Sequence, residues 1–259
     1  MLTSHALLVP TLPTLLLDEH RRHPTPMLAA LAERSASLLA EAPEVVVALS
    51  ARWVPEGPFL VDAGRRHRTL TDYPGFGVEV RYDCSGHPEL ARALVEAGTR
   101  AGVRVAAATR GVDSGVTVPL HFLLPATPVP VVPLSLADRS PEECREWGAV
   151  LRRALAARPE RIAFVVGGLL SDNQHAWSLG RELPEARAFD ERVLDALSRG
   201  AWESVGHREP GEDERVRPQA GLRHLEVLRG FLAPEAVGVL GCYEPGPGVG
   251  AALVEFATG

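Results

Sequence analysis

Short apolar runs, most of them rich in valine and closed by turn residues, constrain this chain more than any other feature. They are Ala6–Val9, Val45–Leu49, Phe59–Val61, Val103–Ala107, Val129–Pro133, Ile162–Val166 and Val237–Leu240. Continuous apolar runs of this length suit strands covered on both faces. Helical patterns lie between them. Met27–Ala40 carries Leu31, Leu38 and Leu39; Pro88–Gly102 carries Leu90, Leu94 and Val95; Pro141–Ala157 carries Trp147, Val150, Leu151 and Leu155. Proline or an acidic residue opens several of these helices, as helix-start chemistry requires. Strands alternating with helices predict an α/β fold with a mainly parallel central sheet flanked by helices. No internal repeat interrupts the pattern. The polar stretch Gly206–Gln219 is expected to be a mobile surface loop within a single domain over 1–259, because strand and helix patterns resume after it.

Composition narrows the function classes. With 46% hydrophobic and 23% charged residues, the chain can bury a substantial core. A formal net charge of -6 argues against a general nucleic-acid or anionic-membrane binder, since both need a basic face. A local basic pocket for an acidic small molecule is compatible with it. Cys84, Cys144 and Cys242 are sparse and far apart, which suits a reducing compartment better than a disulfide framework. The apolar N-terminal stretch lacks a basic leader and reads as a first core strand, so a cytoplasmic protein is expected.

In open α/β sheets, function collects where strands end and loops begin. Ser4-His5 stands at the edge of the first strand, where a histidine can ligate a metal, act as a base or be a solvated side chain. Arg52 and Trp53 follow the strongest strand; they can bind a carboxylate beside an aromatic wall, or pack as surface arginine on indole. Glycines bracket Asp113-Ser114, which can cap a helix, and His121 follows in apolar surroundings that suit a satisfied histidine. Two glycines, Gly167 and Gly168, open a loop that crowds Ser171, Asp172, Asn173 and His175 together. This is the most site-like segment, although Asp172 can equally cap a helix. His224 and Glu226 are too close in sequence to share a helix face, and no self-sufficient metal motif occurs.

Taken in order, these segments resemble the class III extradiol ring-cleavage dioxygenases, in the LigB-like superfamily and its DOPA-dioxygenase-like branch. Ser4-His5 resembles the family's Ser-His-Gly, and Ser50-Ala51-Arg52-Trp53 its Ser-Ala-His-Trp. Thr71–Phe76 with Glu79–Tyr82, Gly111–Leu120, Val131–Leu136, Gly167–Asn173, Phe189-Asp190 and His224 continue the match along nearly the whole chain. The resemblance implies an Fe(II) site at positions 5, 52 and 224, an acid–base histidine at position 172 and a pocket histidine at position 114. Here those positions hold His5, Arg52, His224, Asp172 and Ser114. Arginine offers no lone pair to a metal, and its fixed charge repels a divalent cation.

The resemblance with these departures leads to an expected protein without a resident cofactor. Its incomplete metal site comprises His5 and His224, and its pocket of Arg52, Trp53 and Ser114 takes a small aromatic or anionic ligand. The expected partners are that ligand, an active homologous subunit, or a second copy in a homodimer, with no nucleic acid and no membrane. A second expectation is an active ring-cleaving enzyme whose Fe(II) or Zn(II) site is rebuilt from His5, His224 and either Asp172 or His175, a 2-His-1-carboxylate set in the former case. A third is a metal-independent enzyme with Asp172 and His224 as acid–base partners.

Overall fold

A computed structural model describes residues 1–70, 72–73, 78, 81–125 and 129–259. The main sheet contains β1 (His5–Val9), β2 (Val45–Ser50), β3 (Phe59–Asp62), β6 (Val105–Ala108), β7 (Val131–Ser135), β8 (Ile162–Gly167), β9 (Gly238–Gly246) and β10 (Val249–Ala257). A small hairpin-like pair, β4 (Arg66–His67) and β5 (Cys84–Ser85), stands apart. The helices are α1 (Thr14–His20), α2 (Pro26–Ala40), α3 (Pro88–Arg100), α4 (Ser114–Leu123), α5 (Pro141–Ala156), α6 (Gln174–Ser178), α7 (Pro184–Ser198), α8 (Trp202–Val205), α9 (Glu212–Val216) and α10 (Arg223–Phe231).

The strand order is β6-β3-β7-β2-β8-β1-β10-β9. The four central strands β7, β2, β8 and β1 run parallel, while β3 meets β7 antiparallel and the β9–β10 hairpin closes the far side antiparallel to β1. This is the single α/β domain with a mostly parallel sheet that the alternating pattern predicts. All seven predicted strands form, within a few residues of their expected bounds, whereas β10 was not read from the sequence.

Side chains alternate across the sheet and fill two apolar layers. Leu8, Val47, Leu49, Phe164 and Val166 face a layer built with α3, α5, α7, α8 and α10. Leu7, Val9, Val46, Ala48 and Val165 face the other, built with α2 and α4. Both faces are therefore dry, which is why these strands read as unbroken apolar runs. Burial of each large side chain in such layers contributes about 1.5–3 kcal/mol.

One helix pair matters for the site. A Cβ on Gly148 of α5 would lie 2.0 Å from the Val227 carbonyl, and one on Gly230 of α10 would lie 2.0 Å from the Arg145 carbonyl. The two backbones therefore touch, and α10 is fixed against α5. Arg145 adds an ion pair to Glu226 at 2.7 Å, so Glu226 faces α5 and is occupied there. The polar stretch 206–219 carries α9, whose Val216 is buried and whose Glu212 meets Arg192 at 2.6 Å. Among the described residues, no helix is long and apolar enough to cross a membrane.

Candidate functional site

Parallel strands bring their C-terminal ends to one edge of the sheet, and the polar residues gather there. At the end of β2, the Ser50 hydroxyl donates to Asp113 Oδ1 at 2.7 Å and accepts the Arg52 backbone N–H at 3.2 Å. Asp113 caps α4 by accepting the Gly115 N–H at 3.1 Å, so the helix-cap reading of this residue holds. Its second oxygen accepts from Arg110 Nη1 at 2.6 Å. The Arg110 guanidinium lies over the Trp53 ring at 5.0 Å. The arginine that stacks on Trp53 is thus Arg110, leaving Arg52 without that role.

Close backbone approach explains the glycines. A Cβ on Gly167 would sit 1.8 Å from the Gly115 carbonyl, and one on Gly115 would sit 2.0 Å from Ser50 Oγ. The first turn of α4 therefore rests directly on the ends of β2 and β8. Gly168 donates its N–H to the Val9 carbonyl at 3.0 Å, joining β8 to the end of β1. A Cβ there would lie 2.8 Å from His224 Nε2 and 3.3 Å from the Ala51 Cβ. His224, in the first turn of α10, consequently covers the ends of β8 and β2 with its ring.

His224 is fully buried, and neither ring nitrogen reaches a hydrogen-bond partner among the described residues. Burial pushes its imidazole down to about 4, with the nearby Leu169 backbone offsetting part of that shift, so the ring is neutral at pH 7. Thr11, just beyond β1, is also fully buried, and its hydroxyl has no partner among the described residues. Arg52 is half-buried; its Nε is shielded without a partner, and its guanidinium makes no ion pair with any described residue. Unpaired buried polar groups are uncommon and costly, which makes His224, Thr11 and Arg52 the candidates for ligand contact at this edge.

The remaining expected residues divide. His5 does not join His224: it is the first residue of β1, and the site lies at the last, about 13 Å along the strand. Its Nε2 is 3.9 Å from Glu255, a carboxylate that Arg34 already holds at 2.7 Å. Strand polarity thus separates a pair that sequence order had grouped, and Thr11 occupies the edge instead. Asp172 does not cap α6; Asn173 does, accepting the Ala176 N–H at 3.0 Å. Asp172 Oδ2 accepts from Gln219 Nε2 at 2.9 Å, and Oδ1 accepts from Gln174 Nε2. His175 is exposed on α6. Ser114 donates through its hydroxyl to Asp72 Oδ2 at 2.8 Å and through its backbone N–H to Asp72 Oδ1 at 3.1 Å. His121 is satisfied, as expected, by Glu19 at 2.6 Å. The expected matches at Thr71, Pro74–Phe76 and Glu79-Val80 lie outside the described residues.

Two buried carboxylates that were not read as site residues anchor the surrounding segments, Asp190 having entered only through the Phe189-Asp190 match. Asp62, closing β3, accepts the N–H groups of Gly64, Arg110 and Gly111 at 2.8–2.9 Å and faces His67 Nδ1 at 3.4 Å. Burial works against its charge, but these donors prevail and hold the carboxyl at about 2. Asp190 of α7 accepts both the N–H and the hydroxyl of Ser171 at 2.8 Å, and the Tyr243 hydroxyl at 3.0 Å. Here burial wins and raises the carboxyl to about 6. A readable signal existed for Asp190, which sits on the apolar stripe of Ala186, Phe189, Val193 and Leu197.

The donor set at the edge does not fit a divalent metal. Among the described residues no three His, Cys, Asp or Glu side chains cluster as ligands. His224 supplies an imidazole there, and the Arg52 guanidinium that follows β2 offers no lone pair to a metal. Asp172, the nearest expected carboxylate, has both oxygens hydrogen-bonded to side-chain amides. A metal site of this family type needs about three protein ligands.

Known proteins share both the sequence and the fold. A family model described as the catalytic LigB subunit of aromatic ring-opening dioxygenase matches residues 3–254. The dioxygenase tasH of Hapsidospora irregularis is 29% identical over 207 residues, covering 72% of this chain and 63% of that protein. This chain therefore spans less than two thirds of the length of that relative. A 4,5-DOPA dioxygenase extradiol of Beta vulgaris is 26% identical over 205 residues, covering 72% of this chain and 75% of that protein. The crystal structure of an uncharacterized protein from Escherichia coli K12 has the same fold, with a TM-score of 0.75 at 21% identity over 98% of this chain and 99% of that one. The family model covers nearly the whole chain, including His224, and on that match the chain belongs to the LigB family of class III extradiol dioxygenases.

Proposed function

We propose that this chain is a ligand-binding member of its family, in which the fixed charge of Arg52 stands where a metal's charge would be. The observation that carries this reading is Arg52 itself: a half-buried guanidinium at the C-terminal edge of β2, its shielded Nε without a partner among the described residues. A carboxylate can meet it through two parallel N–H···O bonds. Trp53 adds an apolar neighbour, with Arg110 over its ring, and neutral His224 supplies a ring N–H and a lone pair. The ligand class is therefore a small aromatic anion. Binding of that ligand, alone or as the partner subunit of an active homologue, is the proposed role. The rearranged centre of His5, His224 and Asp172 finds no support in the geometry, since His5 occupies the opposite edge of the sheet and Asp172 is engaged. An acid–base pair of Asp172 and His224 meets the same objection at Asp172, and His175 is exposed.

Calorimetric titration with benzoate tests the proposal. The wild-type chain is expected to bind it, and Arg52→Met to weaken binding roughly 10- to 100-fold, the loss of one charge-assisted pair. Equal affinity of the two proteins for benzoate, or no binding by either, overturns it.

A further inference from the structure

We infer that Gln219, gripping the Asp172 carboxylate, is a positioning residue that holds His224 over the strand ends. Among the described residues, the backbone before α10 holds the longest left-handed run. Ala220, Gly221 and Leu222 lie in the left-handed region in succession, at φ 48°, 61° and 60°, and Arg217 lies there at 52°. L-residues avoid this conformation, and three in a row form nearly one left-handed turn. Such strain persists only where the surroundings over-determine it, and it collects beside functional groups.

Gln219 supplies that over-determination. Its side chain is buried; Oε1 accepts the Leu169 N–H at 2.7 Å while Nε2 donates to Asp172 Oδ2 at 2.9 Å. Its own backbone N–H donates to the Leu170 carbonyl at 2.9 Å, and the Asp172 N–H donates to the Arg217 carbonyl at 3.0 Å. One amide thus ties the segment after β8 to the turn that starts α10. Those two segments are the two sides of the imidazole's setting: Gly168 lies against the ring, and His224 follows the left-handed turn. Arg223 secures the exit of the turn, donating from Nη1 to the Ala220 carbonyl at 3.0 Å and from Nε to the Arg139 carbonyl at 2.9 Å. Asp172 therefore serves as an acceptor in this clamp, which accounts for a carboxylate at a position where the resemblance implied an acid–base group.

The clamp has a polarity, and a polarity can be reversed. Gln219→Glu sets two carboxylates face to face, and Asp172→Asn can set one amide NH₂ against another. In the double variant Gln219→Glu/Asp172→Asn, the Asn NH₂ donates to the new carboxylate while its oxygen still accepts from Gln174. The readouts are the His224 imidazole ¹H–¹⁵N resonances at one fixed pH and the affinity for benzoate, the latter resting on the Arg52 reading. Each single variant is expected to shift the His224 resonances and to weaken benzoate roughly 10-fold, and the double variant to restore both. Gln219→Met, neutral and of similar volume, is expected to shift the resonances while the chain stays folded. Unchanged His224 resonances in Gln219→Met, or a double variant no closer to wild type than the single ones, overturns the clamp. If wild type binds no benzoate, the Arg52 reading fails and the ring resonances alone decide this one.

Discussion

Asp113→Ala is expected to lower the unfolding free energy by about 2–4 kcal/mol, the combined cost of a lost helix cap and a stranded buried hydroxyl, while the part-exposed Arg110 can turn to water. The carboxylate is 1% exposed and serves three donors at once: Ser50 Oγ, the Gly115 N–H and Arg110 Nη1. Its loss uncaps α4, strands the buried Ser50 hydroxyl and frees Arg110 from its place over Trp53. Urea unfolding of wild type and variant measures the effect. Asp113→Asn should cost less, because its oxygen can still cap the helix while its NH₂ turns a favourable contact with Arg110 into an unfavourable one. A change below about 1 kcal/mol for the alanine variant would mean that Arg110 and Ser50 find new partners, and that the cluster does not hold the edge together.

The second large effect is expected at Gly168. A methyl group there would lie 2.7 Å and 2.8 Å from two ring atoms of His224, closer than real contacts allow. Gly168 cannot retreat easily, because its N–H is bonded to Val9 and its neighbour Gly167 is pressed against Gly115. The imidazole must move instead. Gly168→Ala should therefore cost about 1–3 kcal/mol by overpacking and should displace His224 from the strand ends. Adding His224→Ala to the same chain removes the obstacle, so the double variant should be more stable than Gly168→Ala alone. Thermal melts of wild type and the two variants test this directly; a double variant less stable than Gly168→Ala would show that the collision lies elsewhere.

The sheet was legible because its physics is local. Val45–Leu49 and Ile162–Val166 are apolar on both faces, and only a strand with two dry sides wants that pattern. Helix starts were equally readable where chemistry marks them, as at Pro141, the first residue of α5, where the structure adds a capping box of Ser140 and Glu143. The site was legible only in part. Arg52, Trp53 and His224 do converge on one edge, and Gly167 and Gly168 do permit the close approach their type suggests. Order along the chain, however, carries no sign of strand direction. His5 and Thr11 flank the same strand, and only its polarity decides that Thr11 meets the edge. The crowded loop of Ser171, Asp172, Asn173 and His175 looked catalytic because four polar residues are adjacent. In the fold they face four ways: to Asp190, to Gln219 and Gln174, to the start of α6, and to solvent. The partner that defines Asp172 is 47 residues away, just before a left-handed turn that includes two non-glycine residues and is held by long-range contacts that no local pattern announces.

The central claim is that a guanidinium has replaced the charge of a metal at this edge of the sheet. Iron content of the purified chain after anaerobic Fe(II) loading and desalting tests it most directly, with catechol cleavage measured on the same sample. Far less than one iron per chain and no ring cleavage are expected, because Arg52 repels the cation and His224 is left without a second protein ligand. One tightly held iron per chain, with oxygen-dependent cleavage of catechol, would contradict it.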